Sequence, residues 1–174
     1  MKSQISQVEK NLIFVSGIGV LISYYIVFGR WIPGNYLQHP FWFGMDSKVI
    51  KMFIVFQVLA VIGFLIAFYY YYYNSVSSGI LSYKYGFSGI LLLFFISAII
   101  WPFATYFNWG WLVVVSLITT AMATILFLAG AVEDKKGKWY IVLALIFLNI
   151  TTVLGDAVSW NAHYILHKLN NYIT

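Results

Sequence analysis

The chain has 174 residues, of which 62% are hydrophobic and only 9% are charged. Soluble domains carry about a quarter charged residues, so the composition excludes an ordinary soluble domain and predicts an integral membrane protein. The net charge of +5 is spread over connecting segments, which argues against a nucleic-acid partner. Cysteine is absent, which excludes disulfide bonds, thiol catalysis and cysteine-ligated metals.

Five apolar segments follow one another along the chain. A membrane-spanning helix needs about 20 predominantly apolar residues. Segments of this kind run over residues 11–28, 49–73, 87–107, 111–132 and 139–160. We therefore predict an all-α, polytopic integral membrane protein with five transmembrane helices in a single membrane domain. Residues 161–174 are expected to form a helical tail at the membrane interface, with 159–168 continuous with the fifth span.

The first connection differs from the others. Residues 29–48 form the longest loop, which is rich in aromatic residues and contains Pro33 and Pro40. Aromatic side chains concentrate at membrane interfaces, so we expect this loop to lie along the interface or to fold back over the helix ends. The other connections are short, which makes sequential helices antiparallel neighbours.

Small residues recur four positions apart in two predicted helices. Gly19 and Ser23 have this spacing in the first helix, and Gly63 and Ala67 have it in the second. Such faces let two helix backbones approach closely. Besides the lipid bilayer, the predicted partners are therefore a second copy of the chain or another membrane protein.

The basic residues predict an orientation in the membrane. The side of the N-terminus holds more of them than the other side does: Lys2, Lys10, Lys84, Lys135, Lys136 and Lys138 against Arg30, Lys48, Lys51 and Lys168. Cytoplasmic loops carry an excess of lysine and arginine. The N-terminus is therefore predicted in the cytoplasm and the C-terminus on the opposite side.

The fifth predicted span is the only one that contains an acidic residue, Asp156. Asn149, Thr152 and Ser159 are separated from one another or from Asp156 by three or four residues, so an α-helix would align them as one polar stripe. Thr120 lies on a hydroxyl-bearing face of the fourth span, which is expected to approach the fifth. Because an ionisable group inside a membrane indicates an ion or substrate path, these five residues form a candidate path.

Two histidines follow this stripe toward the C-terminus. His163 and His167 are four residues apart, a helical spacing that can chelate a metal. Together with His39 or Asp156 they could complete a three-ligand zinc site with an open position for water. Such a site would suit hydrolysis of a lipid headgroup.

The sequence leaves three functions open. We favour a structural or assembly component of a membrane, in which Asp156 pairs with a lysine, an arginine or a hydroxyl group and fixes helix packing. The alternative is a small channel or transporter for protons, cations or a small solute. The second alternative is the metal-dependent hydrolase. No cofactor is predicted, and the lack of a recognisable catalytic motif favours a protein that is not an enzyme.

Overall fold

The fold is helical throughout the part of the chain that the structure describes. The computed structural model of the protein describes residues 6–31, 40–43, 45–74, 76 and 78–173. Helix accounts for 87% of the structure, and these residues contain no strand. Within these ranges five helices are long and apolar enough to cross a membrane, which confirms the predicted number of apolar helices and their all-α class.

The helices begin and end close to the predicted positions. The first four are α1 (Gln7–Tyr24, extended by a π-helical stretch, Tyr25–Trp31), α2 (Ser47–Tyr73), α3 (Gly86–Tyr106) and α4 (Trp111–Glu133). The fifth helix consists of α5 (Trp139–Asn149), a π-helical segment (Ile150–Trp160) and α6 (Asn161–Ile173). Short 3-10 turns, Pro40–Trp42 and Ile80–Ser82, lie in the first two connections.

A capping box starts α1 four residues before the predicted span. Ser6 Oγ accepts a hydrogen bond from the Glu9 N–H at 3.2 Å, and Glu9 Oε2 accepts one from the Ser6 N–H at 2.9 Å. This pair satisfies N–H groups that the first turn of a helix leaves without partners. Glu9 also accepts a hydrogen bond from Ser88 Oγ, which ties the start of α1 to the start of α3.

The fifth helix is continuous through Gly155, as expected, but residues 150–160 are π-helical. In a π-helix each N–H bonds to the carbonyl five residues earlier instead of four. Thr152 Oγ1 donates to the Leu148 carbonyl at 3.0 Å, the acceptor that an α-helical Thr152 N–H would use. This competition by the hydroxyl favours the wider turn. The α-helical spacing assumed for the polar stripe is therefore wrong for this segment.

The helices are arranged around the bundle in the order α1, α3, α4, fifth helix, α2. α3 packs against both α1 and α4, and the fifth helix packs against both α4 and α2. α2 and α5 approach each other closely at Gly63, where a Cβ atom would collide with the backbone of Ala144. Phe64 of α2 reaches Phe94 and Phe95 of α3, with ring centroids 5.2 and 5.7 Å apart, and these rings fill the middle of the bundle.

One end of the bundle, which we call the lysine end, contains Lys10, Lys84, Lys135, Lys136 and Lys138. Here the connection between α2 and α3 packs on the end of α4. Glu133 Oε2 accepts a hydrogen bond from the Ile80 N–H at 3.0 Å, and the Glu133 carbonyl accepts one from Ser78 Oγ at 2.8 Å. Gly79 lies against the Glu133 side chain with a φ of 75°, a conformation that favours glycine. The connection is thereby fixed to the helix end.

The opposite end, which we call the tryptophan end, contains Trp42, Trp101 and Trp160. Phe41 and Trp42 are 6% and 7% exposed, and Trp160 Nε1 donates to the Phe41 carbonyl at 3.2 Å. The rings of Phe41, Trp101 and Trp160 lie 5.2–5.7 Å apart. These three residues form what we call the aromatic cover. The described end of the first connection thus folds back over the helix ends. This is one of the two arrangements expected for the loop; the other is a position along the membrane interface.

Candidate functional site

Asn149 and Thr152, two residues of the predicted path, are hydrogen-bonded to α4. Asn149 Nδ2 donates to the Thr124 carbonyl at 3.1 Å and to the Leu145 carbonyl at 2.8 Å. Thr124 Oγ1 lies 2.8 Å from Thr152 Oγ1 and 3.2 Å from Asn149 Oδ1. These side chains are buried, and their polar groups are largely used in joining α4 to the fifth helix.

Thr120, the path residue on α4, is one turn from this cluster. Its Oγ1 lies 2.8 Å from Ser97 Oγ of α3, and it donates to the Ser116 carbonyl at 2.9 Å. Because α4 and the fifth helix are antiparallel, four residues back along α4 correspond to four residues forward along the fifth helix. Thr120 therefore lies at the level of Asp156, although its hydroxyl is bonded to α3.

Asp156 lies on the inward side of the fifth helix. Leu154 and Val158, two residues before and after it, are 61% and 58% exposed and mark the outer face. Two residues correspond to about half a turn, which places Asp156 on the opposite side. Thr152 and Trp160, one turn away in each direction, are 6% and 3% exposed. Asp156 itself is only half-buried, so part of its surface borders space that protein does not fill.

The Asp156 carboxylate has no hydrogen bond or ion pair within the described ranges. Among the elements packed against it, α2 carries its lysines, Lys48 and Lys51, exposed in the first turns, and α4 carries its one charged residue, Glu133, at the lysine end. The expected pairing with a basic or hydroxyl group is not observed there. A carboxylate among apolar helices is strongly disfavoured while it stays charged and unpaired.

The turn that contains Asp156 packs closely against α2 at the neighbouring residue, Gly155. A Cβ atom on Gly155 would lie 3.0 Å from the Phe53 ring, so α2 passes directly beside this turn. Trp160, one turn beyond Asp156, belongs to the aromatic cover. Asp156 is therefore one helical turn inside the covered end of the bundle.

Ser159 and the histidines lie closer to the tryptophan end. The Ser159 carbonyl is 3.0 Å from His163 Nδ1 and accepts a hydrogen bond when Nδ1 is protonated, which leaves Nε2 as the free ligand atom. His167 is exposed, and its ring lies 5.2 Å from that of Phe43. His39 lies outside the described residues. Among those described, no three His, Cys, Asp or Glu side chains are grouped to hold a metal ion, and the zinc site stays a prediction.

Asn161 is a residue of this site that the predicted path omitted. It is 4% exposed, and its Oδ1 has no hydrogen-bond partner among the residues that the structure describes. Its backbone N–H donates to the Asp156 carbonyl, which places Asn161 one π-helical turn beyond Asp156. Residues five apart do not share a face of an α-helix, so α-helical spacing excluded Asn161 from the stripe. Only the π-helical geometry brings the two residues together.

The class of this protein is defined by its fold and its candidate site, because comparisons with known proteins give no match. No protein-family model matches the chain, and no curated protein or solved structure matches it either. The described part of the chain contains helices and no strands, and five of these helices are long and apolar enough to cross a membrane. Its distinguishing feature is an inward-facing carboxylate in the last of them.

Proposed function

We propose that this protein is an integral membrane protein that binds a proton or a small cation at Asp156, as a small channel or transporter does. The observation that supports the proposal is that the Asp156 carboxylate faces inward and has no partner within the described ranges. A buried charge becomes stable only when it is paired or neutralised. A proton or a cation that reaches Asp156 satisfies this requirement.

Membrane insertion is part of the proposal, and the surfaces of α1 and α2 support it. In their most apolar 18-residue windows only 17% and 22% of the residues are buried, so both helices present long apolar faces outward. Surface of this extent is rare on soluble monomers and suits contact with lipid chains. Trp111 and Trp139 are 78% and 76% exposed at helix starts, where an aromatic belt would lie.

Cation flux into liposomes tests the proposed function. Purified protein is reconstituted into vesicles, and proton or Na⁺ entry is measured under an imposed membrane potential. We expect entry above that of empty vesicles, and a fall to the empty-vesicle level for Asp156→Asn. Asp46→Asn is the matched control: it also removes one carboxylate, but Asn can replace Asp46 as the N-cap that accepts from the Lys48 N–H at 2.7 Å. Equal entry for Asp156→Asn and wild type would contradict the proposal.

A structural or assembly component is the second candidate, and the outward faces of α1 and α2 favour it. The small-residue faces expected to bind a partner are occupied within the chain: Gly19 lies against Ile99 of α3, and Gly63 lies against Ala144 of α5. A partner helix would therefore pack on the large apolar side chains of the outward faces of α1 and α2. Native mass spectrometry from lipid nanodiscs tests this role: a defined oligomer supports it, and a monomer at all protein concentrations contradicts assembly through a second copy.

A further inference from the structure

The side chain of Asn161 has a fixed orientation and an unused acceptor. Its Nδ2 donates to the Ala157 carbonyl at 3.1 Å, which assigns the other amide atom as the oxygen. That oxygen, Oδ1, is buried and has no hydrogen-bond partner in the described part of the chain. Buried polar atoms in native proteins are nearly always satisfied, so an unpartnered amide oxygen inside a packed bundle indicates a ligand that donates to it or is coordinated by it.

The π-helical segment places Asn161 one turn beyond Asp156 on the fifth helix. The Asn161 N–H bonds to the Asp156 carbonyl, so the two residues are stacked one turn apart. Side chains on helices lean toward the N-terminus, and the Asn161 amide accordingly reaches back to Ala157, next to Asp156. Two oxygen acceptors therefore lie on neighbouring turns of the inward side, and neither has a donor among the described residues. Asp156 is half-buried, so protein does not cover all of its surface.

We propose that Asp156 and Asn161 together form a binding site for a hard monovalent cation of the Na⁺ class. This inference rests on the proposed function and names its ligand. The Asp156 carboxylate supplies one negative charge, and Asn161 Oδ1 supplies a neutral oxygen ligand; water fills the remaining positions. Oxygen donors suit hard cations rather than transition metals. One carboxylate balances one positive charge, whereas divalent Ca²⁺ sites use several oxygen ligands with more carboxylates.

The test measures thermal unfolding of the purified protein in detergent, in NaCl and in N-methylglucamine chloride at equal ionic strength. We expect the wild-type midpoint to rise saturably with Na⁺ relative to N-methylglucamine. Asn161→Ala should raise the apparent Na⁺ dissociation constant at least about tenfold, because one direct ligand is lost. Asp156→Asn should abolish the response. Asn149→Ala is the control for folding, since it removes a satisfied buried amide and should lower the midpoint without changing the Na⁺ response.

A gain-of-function variant keeps the test informative where Asn161→Ala folds poorly. Asn161→Asp places a second carboxylate beside Asp156, and it should make the midpoint respond to Ca²⁺ at concentrations to which the wild type is indifferent. Coincident wild-type curves in the two salts, an Asn161→Ala variant with wild-type Na⁺ affinity, or an Asn161→Asp variant without a Ca²⁺ response would each overturn the site. Proton entry that depends on Asp156 but ignores Na⁺ would remove this inference alone and leave the proposed function standing.

Discussion

The backbone N–H of Asn161 donates to the carbonyl oxygen of Asp156, five residues earlier. This bond belongs to the π-helical segment of the fifth helix, and it stacks the two residues on the inward side of the bundle. Neither the Asp156 carboxylate nor Asn161 Oδ1 accepts a hydrogen bond from the described residues. The polar groups one turn nearer the lysine end, by contrast, bond to one another. The same helix therefore joins a satisfied packing cluster to an unsatisfied site.

The packing cluster around Thr124 should contribute to stability. Thr124→Val keeps the shape of the side chain but removes the hydroxyl that contacts Asn149 and Thr152, and we expect a loss of about 1–2 kcal/mol in the free energy of unfolding. Thermal or SDS-induced unfolding in detergent measures it. Thr119→Val is the matched control, because Thr119 is half-buried on the same helix and forms no hydrogen bond with a described side chain. Equal losses for both variants would show that the network adds nothing.

The contact between α2 and α5 should not tolerate a methyl group at Gly63. The added Cβ would collide with the Ala144 carbonyl, which belongs to the backbone and cannot move without shifting the helix. We expect Gly63→Ala to destabilise the protein by about 1–3 kcal/mol. Gly89→Ala serves as the comparison, since no atom lies within 4 Å of its added Cβ, and it should be neutral or slightly stabilising. A neutral Gly63→Ala would contradict the close approach.

The aromatic cover should depend on the indole N–H of Trp160. Trp160→Phe removes the hydrogen bond to the Phe41 carbonyl, and we expect faster hydrogen–deuterium exchange in peptides that contain residues 40–46. Trp139→Phe provides the control, because Trp139 is 76% exposed and lies at the other end of the bundle. Unchanged exchange in Trp160→Phe would mean that packing alone holds this segment.

The orientation predicted from lysine and arginine can be measured directly, because the chain has no cysteine. Single-cysteine variants Lys135→Cys and Trp109→Cys place a thiol at exposed positions on opposite ends of the bundle. A membrane-impermeant maleimide should label Cys at 109 from outside intact cells and Cys at 135 only after the membrane is opened. The reverse pattern would invert the orientation, and labelling of both from outside would contradict a membrane crossing by α4, the helix that lies between the two positions.

The sequence predicts the helices well and the site only in part, for physical reasons. Bilayer thickness and apolar composition determine where a long helix can lie, and the bounds of α2, α3 and α4 follow from them. The polar stripe pointed to Asp156. The π-helical segment also makes contacts that form only on folding, such as the hydrogen bond that Thr151 Oγ1 donates to the Phe56 carbonyl of α2 at 2.9 Å. The spacing of residues within one segment gives no information about a contact with another helix. The sequence therefore does not predict Asn161 as a residue of the site.

Infrared difference spectroscopy of the protein in lipid tests most directly whether Asp156 takes up a proton or a cation. Spectra are recorded as the buffer alternates between Na⁺ and N-methylglucamine, and between high and low pH. We predict that carboxyl bands change in at least one of these exchanges, that the change is lost in Asp156→Asn, and that it persists in Asp46→Asn. Difference spectra of Asp156→Asn identical to those of the wild type would show that Asp156 binds neither, and the proposed function would fall.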